Sequence, residues 1–297
     1  NKGEKDTTLS TMDSIRYMNH FMHCSFVAME PNTGDVKAWV GDIDFKFWQY
    51  DKVAQSKRQP GSTFKLFDYT AAFMHGMGPC DKIRDQYVKW DYTENGQPKS
   101  WIPRNANGGY LGYEMTLKHA FALSVNTAAV QLAQQIAIPE IITYAHLLGT
   151  KTPLENKPST SLGSSDVSLL ELVNSYATVV NDGMYHDPIF ISKIEDKDGN
   201  VIYQAPTEQH RVIPYETAFL MTEMLKGGLT EPGGTSQALW AFDLFHYDTD
   251  FGGKTGTSSN HSDAWYVGVT KNLIGGAWVG GDHRSVHFRT GALGQGS

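Results

Sequence analysis

The chain has 297 residues, with 25 Lys and Arg against 32 Asp and Glu and a formal net charge of −7. That acidic balance lacks the basic surface that neutralises phosphates, which argues against a nucleic-acid binder. Apolar residues make up 40% and charged ones 19%, enough for a packed core, and no apolar run of about 18 residues spans a membrane.

Asn1–Asp6 opens the chain without an apolar stretch and is not a signal peptide. Met12–His23 carries Ile15, Met18 and Met22 at helical spacing and predicts a short helix. The period then becomes two. Ser25–Met29 and Val36–Val40 flank Pro31–Asp35 as a strand–turn–strand hairpin. Ser62–His75 reads as a helix behind Pro60-Gly61, and Thr116–Ile136 as an Ala- and Leu-rich helical stretch interrupted at Ser124-Val125-Asn126. Pro139–Leu148 ends at Gly149, which suits a left-handed cap, and Val167–Val180 ends near Gly183. Phe190-Ile191 and Val201–Tyr203 around Asp196–Asn200 predict a second hairpin, followed by a helix over Pro214–Lys226 stopped by Gly227-Gly228. Asp263–Val269 and Leu273–Val279 flank Thr270–Asn272 as a last strand pair. Strands at both ends with helices between them predict one sheet assembled from the two ends of the chain. No repeat or low-complexity linker divides it, so one domain with two connected lobes is expected.

Cys24 and Cys80 form no metal-binding spacing, and two isolated cysteines in a chain this long are more often free than paired. His283 and His287 are four apart, but Arg284 stands where a zinc-binding H-E-x-x-H needs glutamate, so no metal is expected. Gly253-Lys254-Thr255 looks like the end of a phosphate loop, yet the opening glycine would fall at Asp248, whose carboxylate repels phosphate. No G-x-S-x-G is present.

Pro60-Gly61-Ser62-Thr63-Phe64-Lys65 places a hydroxyl and an amine three residues apart, on one face of a helix. A serine becomes nucleophilic when a neighbouring neutral amine takes its proton, which requires the lysine to be desolvated or crowded by another cation. Alone, this spacing is weak evidence, since a solvated lysine near a helix-start serine is common. Ser124-Val125-Asn126 adds a hydroxyl and an amide at the helix interruption, although Asn126 also suits an ordinary N-cap. Lys254-Thr255-Gly256-Thr257 adds a cation in a glycine-rich run that also reads as a surface turn. The three together, in the order S-x-x-K, S-x-N, K-T-G, are hard to obtain by chance.

On these motifs the chain resembles the transpeptidase domain of a class A (bifunctional) penicillin-binding protein over nearly its whole length. Phe26–Gly41, Arg58–Ser62, Trp101–Asn105, Ser124–Ala128 and Asp263–Gly268 are similar to that family as well. Val125 stands where class A β-lactamases have aspartate, which weighs against that enzyme. The resemblance implies a mixed α/β fold, a five-stranded antiparallel sheet flanked by helices plus a mostly helical lobe over about 76–188. Residues 1–24 would be an inter-domain segment and 25–297 the transpeptidase domain. A glycosyltransferase domain and a membrane anchor would lie upstream, on the periplasmic side of the bacterial inner membrane.

It further implies a serine D,D-transpeptidase acting on stem peptides that end in D-Ala-D-Ala, and inhibited covalently by β-lactams, with no cofactor. Ser62 would be the nucleophile and Lys65 its base. Ser124 would relay a proton under the influence of Lys254, and Asn126 would hold the peptide amide. Thr255, Gly256 and Thr257 would bind the substrate's terminal carboxylate, with the Ser62 and Thr257 N–H groups as oxyanion hole. The rivals are a D,D-carboxypeptidase or β-lactamase of the same fold and a non-catalytic penicillin-binding sensor. Glu155 and Glu171 are followed four residues later by Ser159 and Ser175, so the E-x-x-x-N deacylating pattern of class A β-lactamases is missing.

Overall fold

The computed structural model describes residues 6–243 and 249–290. Five strands form the central sheet: β1 (Met22–Met29), β2 (Val36–Val40), β3 (Gly252–Thr257), β4 (Asp263–Val269) and β5 (Ile274–Gly281), in the order β3-β4-β5-β1-β2. Every neighbouring pair is antiparallel, and β1 joins β5 from Met22↔Gly281 to Met29↔Ile274. The sheet is therefore closed between the two ends of the chain, as the sequence pattern predicts. β3 lies at its edge.

The helices are α1 (Thr11–Met18), α2 (Lys65–Met74), α3 (Leu117–Ala122), α4 (Asn126–Ile136), α5 (Ile138–Leu148), α6 (Leu169–Val180) and α7 (Tyr215–Thr230). Val173 of α6 presses on Gly276, where a Cβ would stand 2.1 Å from its Cγ2, and α7 reaches β3 through Leu225 at Gly252. Gly276 pairs Val267, which pairs Lys254, so both helices cover the sheet face that carries Lys254. Under them α2 runs through the core with Leu66, Phe67 and Tyr69 fully buried. Burial of several such side chains, each favourable by about 2 kcal/mol, fixes the helix that follows Ser62.

Several elements differ from expectation for reasons outside their own sequence. The helix expected over Met12–His23 stops at Met18, because Met22 and His23 are drawn into β1 and His23 Nδ1 lies 2.8 Å from Asp42 Oδ2. The second hairpin pairs Lys193–Glu195 with Val201–Gln204, leaving Phe190-Ile191 outside. Its start is delayed because Ile189 exchanges backbone hydrogen bonds with Gly34 and Val36. α7 runs through Gly227-Gly228 to Thr230 instead of stopping there. Those glycines permit close packing, since a Cβ on Gly228 would stand 3.0 Å from Ser236 Oγ and 3.4 Å from the Gly253 carbonyl. Cys24 and Cys80 are both free thiols.

Candidate active site

Ser62 lies in a 3-10 turn, Gly61–Phe64, that leads directly into α2 at Lys65. The turn is clamped on both sides. Gly61 has φ +54° and a Cβ there would meet the Thr257 carbonyl oxygen at 2.3 Å, while one on Gly163 would meet the Gly61 carbonyl at 2.2 Å. Gly256 is pressed likewise against the Pro60 carbonyl, at 2.5 Å from where its Cβ would be. These glycines let β3, the serine turn and the 158–162 turn meet backbone to backbone.

Upstream, Arg58 and Gln59 bolt the same loop to the sheet. Arg58 Nε donates to Asp263 Oδ1 at 2.6 Å, and the other guanidinium nitrogens donate to the Gly281 and Asp282 carbonyls. Trp265 Nε1 donates to the Gln59 carbonyl at 2.8 Å. Asp263 is itself fully buried and accepts from Ser258, Ser262 and Trp278. Removing one partner of such a pair strands a buried charge.

The interruption expected at Ser124-Val125-Asn126 is present: α3 ends at Ala122 and α4 begins at Asn126. Ser124 adopts φ +56°, which turns both its hydroxyl and its carbonyl towards Lys65. The Lys65 amine lies 3.2 Å from Ser62 Oγ, 2.6 Å from the Ser124 carbonyl, 3.1 Å from Ser124 Oγ and 2.7 Å from Asn126 Oδ1. From β3 the Lys254 amine donates to Ser124 Oγ at 2.9 Å and to the Thr255 carbonyl at 3.2 Å. Thr255 Oγ1 donates to Thr235 Oγ1 at 2.9 Å, a partner the sequence did not suggest. Thr257, half-buried, ends the strand beside Gly61. Ser62, Lys65, Ser124, Asn126 and Lys254 thus meet in one cluster from three distant segments, with Gly256 and Thr257 against the serine turn.

Both lysines are out of water, Lys65 at 0% and Lys254 at 2% exposure. Burial and then the Lys254 charge hold the Lys65 amine well below the usual lysine range, with Asp68 pulling partly the other way. Burial lowers Lys254 to about 7. A neutral amine has two N–H donors and one lone pair. The Ser124 carbonyl and Asn126 Oδ1 can only accept, so they take the two N–H groups and leave the Lys65 lone pair for a hydroxyl. The geometry suits removal of the Ser62 proton. Asp68, one turn further along α2, is fully buried and neither oxygen has a hydrogen-bond partner among the described residues. Burial pushes its carboxyl well above the ordinary range, against a smaller pull from Lys65, which favours the uncharged acid.

The Lys254 shift makes a stability prediction. Between about 7 and the ordinary 10.5 the unfolded chain holds a proton that the folded chain lacks, so this group adds stability as pH rises through that window. Below about 7 both states are protonated and the folded state carries the whole cost of the buried cation, about 5 kcal/mol at most for this shift. Lys254→Met should therefore raise the urea midpoint at pH 6, and the gain should shrink towards pH 10. Equal gains at both pH values would contradict the shift.

Among the described residues, no group of three His, Cys, Asp or Glu side chains is arranged to hold a metal ion. The family described as the penicillin binding protein transpeptidase domain matches residues 24–279. The chain belongs to that family. Penicillin-binding protein 1A of Aquifex aeolicus is 33% identical over 261 residues, which is 87% of this chain and 34% of that protein. The crystal structure of penicillin-binding protein 1A from Haemophilus influenzae superposes with a TM-score of 0.79 at 26% identity, covering 89% of this chain and 44% of that one. PonA1 of Mycobacterium tuberculosis, solved in complex with penicillin V, gives a TM-score of 0.76 at 24% identity over 92% of this chain and 72% of that one. The chain spans about a third of the length of the curated relatives it matches. The class A resemblance and the mixed α/β fold expected from the motifs hold for this penicillin-binding transpeptidase domain.

Proposed function

We propose that the domain is a serine D,D-transpeptidase that cross-links peptidoglycan stem peptides through an acyl-enzyme on Ser62. The observation that carries this reading is the buried, neutral-leaning Lys65 amine 3.2 Å from Ser62 Oγ, with Ser124 bridging to Lys254. Lys65 takes the Ser62 proton as Oγ bonds to the carbonyl carbon between two terminal D-alanines. The C–N bond then breaks as Ser124 passes its proton to the departing D-alanine amine and takes in return the proton Lys65 removed from Ser62, while Lys254 tunes that relay. Backbone N–H groups of Ser62 and Thr257 receive the oxyanion. The terminal carboxylate is met by the Lys254 charge and the Thr257 hydroxyl, and by Thr255 once it releases Thr235. Asn126 keeps Oδ1 on Lys65 and offers its second amide hydrogen to the peptide. An amine of a neighbouring stem peptide finally attacks the acyl carbon, and its proton returns to Ser62 Oγ by way of Ser124 and Lys65 as the ester bond breaks.

A β-lactam enters the same first step and remains attached. In the full-length protein, residues 25–297 form this domain behind a 1–24 inter-domain segment, a glycosyltransferase domain and a membrane anchor on the periplasmic side of the inner membrane. No helix among the described residues is long and apolar enough to cross a membrane.

Hydrolysis is disfavoured by what the two candidate glutamates do. Glu171 accepts from the Lys151 and Thr152 backbone N–H groups and from Ser168, capping α6, and Glu155 pairs with Lys157. Glu171 is thereby committed to the cap of α6, and Glu155, 61% exposed, stands in a surface pair rather than among the buried groups around Ser62. The penicilloyl-enzyme should therefore persist for minutes to hours; rapid release of penicilloate with turnover would move the domain to a β-lactamase. The deciding experiment supplies a D-Ala-D-Ala stem-peptide donor with a D-amino-acid acceptor and follows new amide bonds by mass spectrometry. Transfer supports a transpeptidase, water as sole acceptor a carboxypeptidase, and acylation without turnover a sensor.

A further inference from the structure

The chemistry above uses none of Trp101–Asn105, yet Arg104 and Asn105 touch Asn126. α4 begins at Asn126 behind Val125, whose side chain cannot accept the first N–H groups of the helix. Asn105 does so from a distant loop. Its Oδ1 accepts from Asn126 N at 2.9 Å and Thr127 N at 3.4 Å. Its Nδ2 donates to the two Asp85 oxygens at 3.0 and 2.9 Å and to the Gly109 carbonyl at 3.1 Å. Asp85 is 1% exposed and also accepts from Thr127 Oγ1 at 2.5 Å and Leu111 N at 2.6 Å.

An amide has an accepting end and a donating end, whereas a carboxylate only accepts. Asp85 therefore dictates which end of Asn105 faces the helix. The same choice is made again one step inward. Asn126 Nδ2 donates to the Arg104 carbonyl at 2.8 Å, which leaves Oδ1 to receive the Lys65 amine at 2.7 Å. If either amide turned over, a donor would face a donor.

We propose that Asp85 and Asn105 are positioning residues for acyl transfer: a buried carboxylate orients a cap borrowed from another loop, and that cap holds Asn126 where it directs the Lys65 lone pair at Ser62. The proposal rests on Lys65 being the base. It explains why the 101–105 segment lies against a helix start in the lobe opposite β3, with no group of its own in the reaction.

The test compares Asp85→Asn, Asn105→Asp and the double exchange, reading hydrogen exchange at the Asn126 and Thr127 amides beside the second-order rate of acylation by benzylpenicillin. Asp85→Asn lets the Asn105 amide turn, and Asn105→Asp sets two carboxylates against each other. Each single change should speed amide exchange and slow acylation by about 10²-fold, the size expected for a misplaced catalytic group. In the double exchange the amide at position 85 donates to the carboxylate at position 105, which still accepts from the helix but no longer donates to the Gly109 carbonyl, so both readouts should recover part of what each single change loses. Single variants that acylate at the wild-type rate once their folded fraction is counted would overturn the proposal, leaving Lys65 as base untouched. A folded double exchange as slow as the singles would overturn it too. Should Lys65→Arg acylate normally, the base assignment fails instead, while the amide exchange still shows whether Asp85 orients the cap.

Discussion

Ser62→Ala is expected to take up no benzylpenicillin, whereas the wild-type domain should gain one β-lactam mass per chain on the peptide containing Ser62. The effect is all or none because the reaction needs an oxygen that can bond to the lactam carbonyl and a base within reach of its proton. The Lys65 amine, the base in this reading, lies 3.2 Å from Ser62 Oγ. Ser124 Oγ, the other hydroxyl on that amine, also accepts from Lys254 at 2.9 Å and belongs to a residue held in a left-handed backbone conformation. It is placed to hand on a proton rather than to attack. Intact mass followed by peptide mapping decides the point. An adduct on Ser124, or one that survives in Ser62→Ala, would remove the nucleophile assignment.

Lys65→Arg should lower the second-order acylation rate by about 10²–10⁴-fold, the range for loss of a general base, because guanidinium keeps its proton. Lys254→Gln is milder and more informative. Acylation needs the neutral Lys65 amine, so its rate climbs as pH passes the Lys65 titration, and anything that lowers that titration makes the base available at lower pH. Burial is the larger cause of the lowering and the Lys254 charge the next. With Lys254 gone, Lys65 should hold its proton to higher pH and the acid limb of the profile should move upward. The deficit should then be largest at acid and neutral pH and narrow above it. A deficit equal at every pH would mean that Lys254 serves only to bind the substrate carboxylate.

Some features are legible from local sequence alone. S-x-x-K at a helix start, the break at Ser124 and the strand pairs at both ends are all set by neighbours within a few residues. The small hairpin of Trp90–Glu94 with Gln97–Trp101 carries the same kind of signal in Asn95-Gly96, whose φ values of +52° and +75° suit a tight two-residue turn, although the pattern was not read as strands. The 82–84 and 114–116 pair is different. Three residues per strand hold too little alternation to read, and only pairing across a long intervening segment, Lys82 with Thr116, Ile83 with Met115 and Arg84 with Glu114, defines it.

By itself, then, the order of residues determined the three motifs, the family they belong to and the spacing that sets a hydroxyl beside an amine on α2. It did not determine that Lys254 would reach Ser124, that Asn105 would cap α4, or that Arg58 would be tied to Asp263, since 130, 21 and 205 residues separate these partners. Nor did it show that both lysines are dry. Helical and strand periods arise from backbone geometry over a few residues, whereas burial and charge proximity depend on which distant surfaces pack together. The reactivity of Lys65 follows from the second kind of information. A lysine one turn from a serine is an ordinary cation in water, and packing between α2, α4 and β3 takes this one out of water and weakens its hold on the proton.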